Sequence, residues 1–193
     1  MKGLIFIPDI TGFTNFVKRI DPAVGSIIIQ DLLNSMIHSN SLKMEVSEVE
    51  GDAILFYKFG APHPLTELVK TFMKMQHAFR VKFNSYKIKY QLQEELSLKL
   101  IVHYGDIILY DIGGFKKLYG EAIIEAHRLL KNGKVFNDYI LVTEEYMAAL
   151  NVKLSDVMVT NPGKPSSTHF LNHIKEVAYH IFPNAKKHVV FQT

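Results

Sequence analysis

Phe6-Ile7-Pro8-Asp9-Ile10-Thr11-Gly12-Phe13-Thr14 is the stretch on which the reading of the fold turns. Leu4 to Ile7 form a short apolar run that predicts a buried strand, and Thr11, Gly12 and Thr14 bring the turn and capping chemistry that opens a helix. Asp9 is therefore expected where strand gives way to helix. Burying a carboxylate without a partner is expensive. Asp9 then has two readings: it caps the helix, a role that suits Asp, or it holds a cation. The free N–H groups at the helix start favour an anion such as phosphate. A carboxylate for a cation beside amides for an anion describes a corner that suits a metal-bound nucleotide.

Working outward, Phe13, Phe16, Val17 and Ile20 recur at helical spacing, and Asp21-Pro22 ends that helix and opens a second, from about Ala23 to His38. Met44 to Tyr57 predicts a β-hairpin turning at Glu50-Gly51-Asp52. After Pro62 and Pro64, Leu65, Leu68, Val69, Phe72, Phe79 and Phe83 mark the packed side of a long helix. Leu96 to Tyr104 and Ile107 to Tyr110 read as strands joined by a tight turn at Gly105-Asp106, followed by a flexible connection from Asp111 to Lys117. A helix from Glu121 to about Lys131, a strand from Tyr139 to Val142 and a short helix capped by Thr143 come next. A polar loop from Asn161 to Thr168 precedes the last strands, near Glu176 to Phe182 and Val189 to Gln192. This order predicts an α/β (α+β) sandwich of ferredoxin-like plan, an antiparallel-rich sheet with helices packed on one side. In that plan the first strand lies beside the hairpin, which brings Asp9 and Asp52 together.

A chain of 193 residues is expected to form a single domain, residues 1–193, with a sizeable core. The formal charge is only +3 and the basic residues are spread out, which argues against nucleic acid as a partner. Cys 0 excludes disulfides, thiolate metal sites and cysteine nucleophiles. No signal peptide or membrane span is read in the sequence, so a cytoplasmic protein without a membrane partner is the expectation. His169 and His173 have an i, i+4 spacing but no accompanying Glu or Cys, and Gly163-Lys164-Pro165-Ser166 lacks the pattern of a P-loop.

Three separated motifs together carry more than any one of them: residues 6–14 quoted above, Glu48-Val49-Glu50-Gly51-Asp52, and Tyr119-Gly120 followed by Ala126-His127-Arg128-Leu129. In this order they resemble the class III adenylate/guanylate cyclase catalytic domain, over about residues 4 to 131 with a weaker continuation to the last strand. The wording of the chain is also similar to a divergent bacterial branch of uncharacterised cyclase-like proteins. The resemblance implies that Asp9 and Asp52 are metal ligands for Mg²⁺ or Mn²⁺. It implies that Ile10, Thr11, Gly12 and Phe13 form the loop that cradles a triphosphate. Glu48 falls on the purine-selecting position, where a carboxylate goes with guanine, and Arg128 on the arginine that stabilises the transition-state phosphate. Lys117 falls on the second purine-selecting position, Ile124 on a ribose-orienting Asn, and Lys175 on a late phosphate-binding Lys. The implied ligand is a purine nucleoside triphosphate, GTP before ATP, and the implied assembly a homodimer that shares its sites. Two functions stay open at this point: a nucleotide cyclase releasing pyrophosphate, and a catalytically inactive nucleotide-binding or regulatory module, which Ile124 and Lys117 favour.

Overall fold

The structure, a computed structural model, describes residues 1–132, 138–152, 157–159, 166–171, 176–183 and 189–191. Its centre is β1 (Lys2–Thr11), which is flanked by β3 (Ala53–Phe59) and β4 (Ser97–Asp106), both antiparallel to it. β2 (Glu45–Glu50) closes one edge, and β7 (Tyr139–Thr143), β10 (Glu176–Pro183) and β9 (Ser166–Leu171) extend the other, in the order β2-β3-β1-β4-β7-β10-β9. Only β4 and β7 run parallel; the other pairings in this sheet are antiparallel. The pairing of β1 with β4 is continuous from Lys2↔Asp106 to Thr11↔Ser97, whereas its pairing with β3 passes over Ile7 and Pro8. Pro8 has no N–H to give to a ladder, so the gap falls where the donor is missing.

The strand continues to Thr11, further than the apolar run predicted, because the Ile10 amide donates to the Asp52 carbonyl at 3.2 Å. Asp9 therefore lies inside the strand. The next helix, α1 (Phe13–Arg19), starts from Gly12 in the left-handed conformation, φ 93°, with no side-chain cap, so neither Asp9 nor the threonines cap it. α2 (Pro22–His38) is capped by the Asp21 carboxylate, which accepts from the Ala23 and Val24 amides. α3 (Leu65–Tyr90) follows as expected.

Three expectations are corrected. β4 runs through Gly105 to Asp106, and β5 (Ile108–Ile112) turns instead onto β6 (Phe115–Tyr119), forming a separate ribbon. Gly113 and Gly114, φ 59° and 89°, supply the two positive φ values that a tight hairpin turn requires. The expected flexible connection is thus a hairpin. Helices also cover both faces of the sheet. α1, α2, α3 and α5 (Glu144–Ala149) lie over a core that includes Phe6, Phe56, Phe72 and Leu100, while α4 (Glu121–Asn132) covers Ile5, Ile7, Leu55 and Ile101. Finally, part of the expected polar loop is strand β9, which puts His169 in a strand and not on a helix; a last ribbon pairs β8 (Val157–Val159) with β11 (Val189–Phe191). His173, Lys175 and Gly163 lie outside the described residues.

α4 sits close on β4. A Cβ at Gly105 would lie 2.6 Å from that of Ala122. Beneath the helix, buried His103 on β4 meets Glu125 at 3.0 Å and the Thr143 hydroxyl at 2.8 Å. These contacts fix the helix that overhangs the candidate site.

Candidate active site

Side chains alternate across a sheet. Ile5 and Ile7 face α4, so Asp9 does too, and Lys99 faces the same way as Ile101. Asp9 and Lys99 are opposite one another in the antiparallel register, and the Lys99 ammonium lies 2.8 Å from Asp9 Oδ2. It also donates to the Leu130 carbonyl at the end of α4, at 3.3 Å. Asp52 occupies the hairpin turn beside Gly51, φ 59°, one residue before Ala53, which pairs with Asp9. Its carboxyl comes close enough to that of Asp9 for the two to interact. Burial first, and then the charge of Asp9, push the Asp52 carboxyl up to about 7, while Lys99 pulls it down. The two acids predicted to converge do so.

A second group lies at the sheet edge. Glu48 meets Lys117 of β6 at 2.5 Å and His127 Nε2 of α4 at 3.5 Å, and Glu50 lies 3.6 Å from His127 Nδ1. The Glu48 carboxylate raises the Lys117 ammonium above its ordinary range. A bulge in β2 makes this possible. Glu45 pairs with Tyr57, but the register shifts after Val46, so that Glu48 and Glu50, in place of Ser47 and Val49, pair with Leu55 and Ala53 and face α4. Glu50, Ala53, Asp9 and Lys99 then form one row across four strands. With strands about 4.8 Å apart, Glu50 and Asp9 stand roughly 10 Å from each other.

Ile10 is buried, and the Thr11 hydroxyl is buried with no hydrogen-bond partner among the described residues. Thr11 and Gly12 border a cavity of about 650 Å³ that is also lined by Gln76, Arg80 and Asn84 of α3. Phe13 packs at the edge of the core and approaches Gly51. Arg128 is half-buried on α4 beside His127, and Ile124 on the same helix is exposed. The structure thus joins Asp9 to Asp52 and Glu48 to Lys117. Lys175 is outside the described residues.

Sequence reasoning missed Lys99, Glu50 and the inward turn of His127. Lys99 had a signal: a lysine inside the apolar run Leu98 to Val102 needs a partner when the strand is central. Glu50 had none, because its facing depends on the bulge.

The architecture is that of nucleotide cyclase domains. The adenylyl cyclase CyaB from P. aeruginosa superposes with a TM-score of 0.71 at 16% identity, over 95% of this chain and 94% of that one. The guanylate cyclase domain of RhGC from Catenaria anguillulae, solved in complex with GTP, gives 0.62 at 14% identity, over 94% and 96%. The monomeric guanylyl cyclase domain of the RhoGC fusion protein from the aquatic fungus Blastocladiella emersonii gives 0.57 at 15% identity, over 93% and 94%. No curated protein sequence matches the chain. By sequence, the chain belongs to the family described as "Protein of unknown function (DUF2652)", whose model matches residues 29–139.

Proposed function

We propose that residues 1–193 are a single cyclase-like domain, from a divergent bacterial branch of that fold, that binds a metal–purine nucleoside triphosphate and converts GTP to its cyclic 3′,5′ form and pyrophosphate. The observation that carries the reading is the meeting of Asp9 and Asp52 at the end of the central strands of a cyclase-type sheet. The donor set fits Mg²⁺ or Mn²⁺: the pairing of Asp9 with Ala53 sets two carboxylates side by side, hard oxygen ligands whose shared charge a cation would relieve. Asp9 and Asp52 would hold that ion. When bound, it supplies charge neutralisation at the phosphates and eases loss of the ribose hydroxyl proton.

The chain's own residues supply positioning. The backbone from Ile10 to Phe13 would receive phosphate oxygens. Glu48 would accept from the guanine N1–H and amino group, and Lys117 would hold that carboxylate in place. The ribose 3′ oxygen bonds to the α-phosphorus, the bond to the bridging oxygen breaks, and the hydroxyl proton leaves with solvent. Arg128 of a second copy would stabilise charge on the departing pyrophosphate. The shared site calls for a homodimer. Exposed Ile108, Ile112, Phe115 and Tyr119 on the β5–β6 ribbon, with Ile124 on α4, give such a partner an apolar surface.

One observation favours a second reading, nucleotide binding without cyclisation. Glu48 is already engaged by Lys117 and His127, and the position read as ribose-orienting is the apolar Ile124. Neither reading involves nucleic acid or a membrane, and no helix among the described residues is long and apolar enough to cross one. We propose a cytoplasmic location for this activity.

Product formation from GTP and ATP with Mn²⁺, measured on the parent and on Asp9→Ala, tests the proposal. Cyclic GMP from the parent, and a loss of at least a hundredfold in the variant, is the expected result. Thermal stabilisation by GTP with no product selects the second reading; neither response, in a folded parent, overturns both.

A further inference from the structure

We infer that Lys99 takes one of two cation places at the Asp9–Asp52 pair, so that the site admits a single divalent ion. The inference rests on the reading of that pair as a metal site. Two carboxylates alone can share one or two divalent ions, and paired ions lie about 3.5–4 Å apart when both engage the same substrate. A carboxylate that bridges two ions gives one oxygen to each. In this chain Asp9 Oδ2 is already committed, because the Lys99 ammonium lies 2.8 Å from it.

The pairing is built into the backbone. Asp9 and Lys99 face one another on adjacent strands of the sheet centre, and their side chains are 8% and 16% exposed. A hydrogen bond donated to the Leu130 carbonyl, 3.3 Å, anchors the ammonium from the other side. The ammonium is thus held between one ion-pair partner and one hydrogen-bond acceptor. With both acids ionised, two carboxylates and one ammonium leave a net charge of −1, enough to favour one divalent ion. A second ion would have to displace a held, buried cation or share an oxygen with it.

The test is a Mn²⁺ titration at pH 7.5 and low ionic strength, with free Mn²⁺ followed by electron paramagnetic resonance. The parent, Lys99→Met, Lys99→Gln and Asp9→Asn are compared. The parent is expected to bind one Mn²⁺ per chain and each Lys99 variant one more, with Asp9→Asn weakened at least tenfold. Lys99→Gln keeps a donor for Leu130 if Lys99→Met does not fold. A parent that binds two ions overturns the inference without any variant. One ion in the parent and one in the Lys99 variants overturns it while leaving the metal site standing. No binding by the parent, indistinguishable from Asp9→Asn, removes the metal reading itself and the inference with it.

Discussion

Asp9 and Asp52 are near neighbours only because a hairpin turn meets the last residues of a central strand, and their mutual repulsion is written into Asp52. Its carboxyl is raised from 3.8 to about 7, first by burial and then by Asp9. A raised pKa means that the folded chain binds the proton more tightly than the unfolded chain. The resulting stability is full below about pH 3.8 and is lost as the pH rises through about 7. In a chelator, the unfolding midpoint of the parent relative to Asp52→Asn should therefore fall between these limits and then level off. Urea melts at several pH values check the slope, and parallel curves for the two proteins would exclude the shift. Lys99 moderates the same repulsion from the other side.

Two irregular elements aim the site. The bulge after Val46 turns Glu48 and Glu50 toward α4, and the left-handed Gly12 turns the chain from β1 into α1. A Cβ at Gly12 would lie 2.6 Å from the Glu95 carbonyl oxygen, at a φ of 93°. Gly12→Ala should destabilise the chain by about 1–3 kcal/mol from backbone strain, with the clash in addition. Gly114 gives the comparison: its φ is 89° but nothing lies within 4 Å of the added methyl, so Gly114→Ala should carry the strain alone. Denaturant melts of the two variants separate the contributions. Equal losses would show that the Glu95 carbonyl yields freely.

The sheet of the whole molecule is packed on both faces, yet it leaves the β5–β6 ribbon projecting with Phe115 73% and Tyr119 68% exposed. Such residues contribute little to the fold of one chain and much to an interface between two. Phe115→Glu combined with Tyr119→Glu should leave the circular dichroism and thermal midpoint nearly unchanged while shifting sedimentation from dimer to monomer. If the site is shared, cyclic nucleotide formation falls with the dimer. A parent that sediments as a monomer at tens of micromolar would remove this assembly.

The alternation and spacing of residues carried the βααββα opening, the hairpin turn at Gly51 and the convergence of Asp9 with Asp52, because these follow from local periodicity and one neighbour relation between strands. The same spacing could not reveal that β4 runs through Gly105, since a Gly-Asp pair serves as strand or turn and only the pairing of Lys2 with Asp106 decides between them. Nor could it reveal that helices cover both faces. The facing of Glu48 and Glu50 depends on a one-residue bulge, and the seat of Lys99 on a register between residues ninety positions apart. Local pattern thus placed the acids, and long-range pairing decided which charges neighbour them, because register between distant strands is set by the packing of the whole sheet and is nowhere encoded in a single stretch.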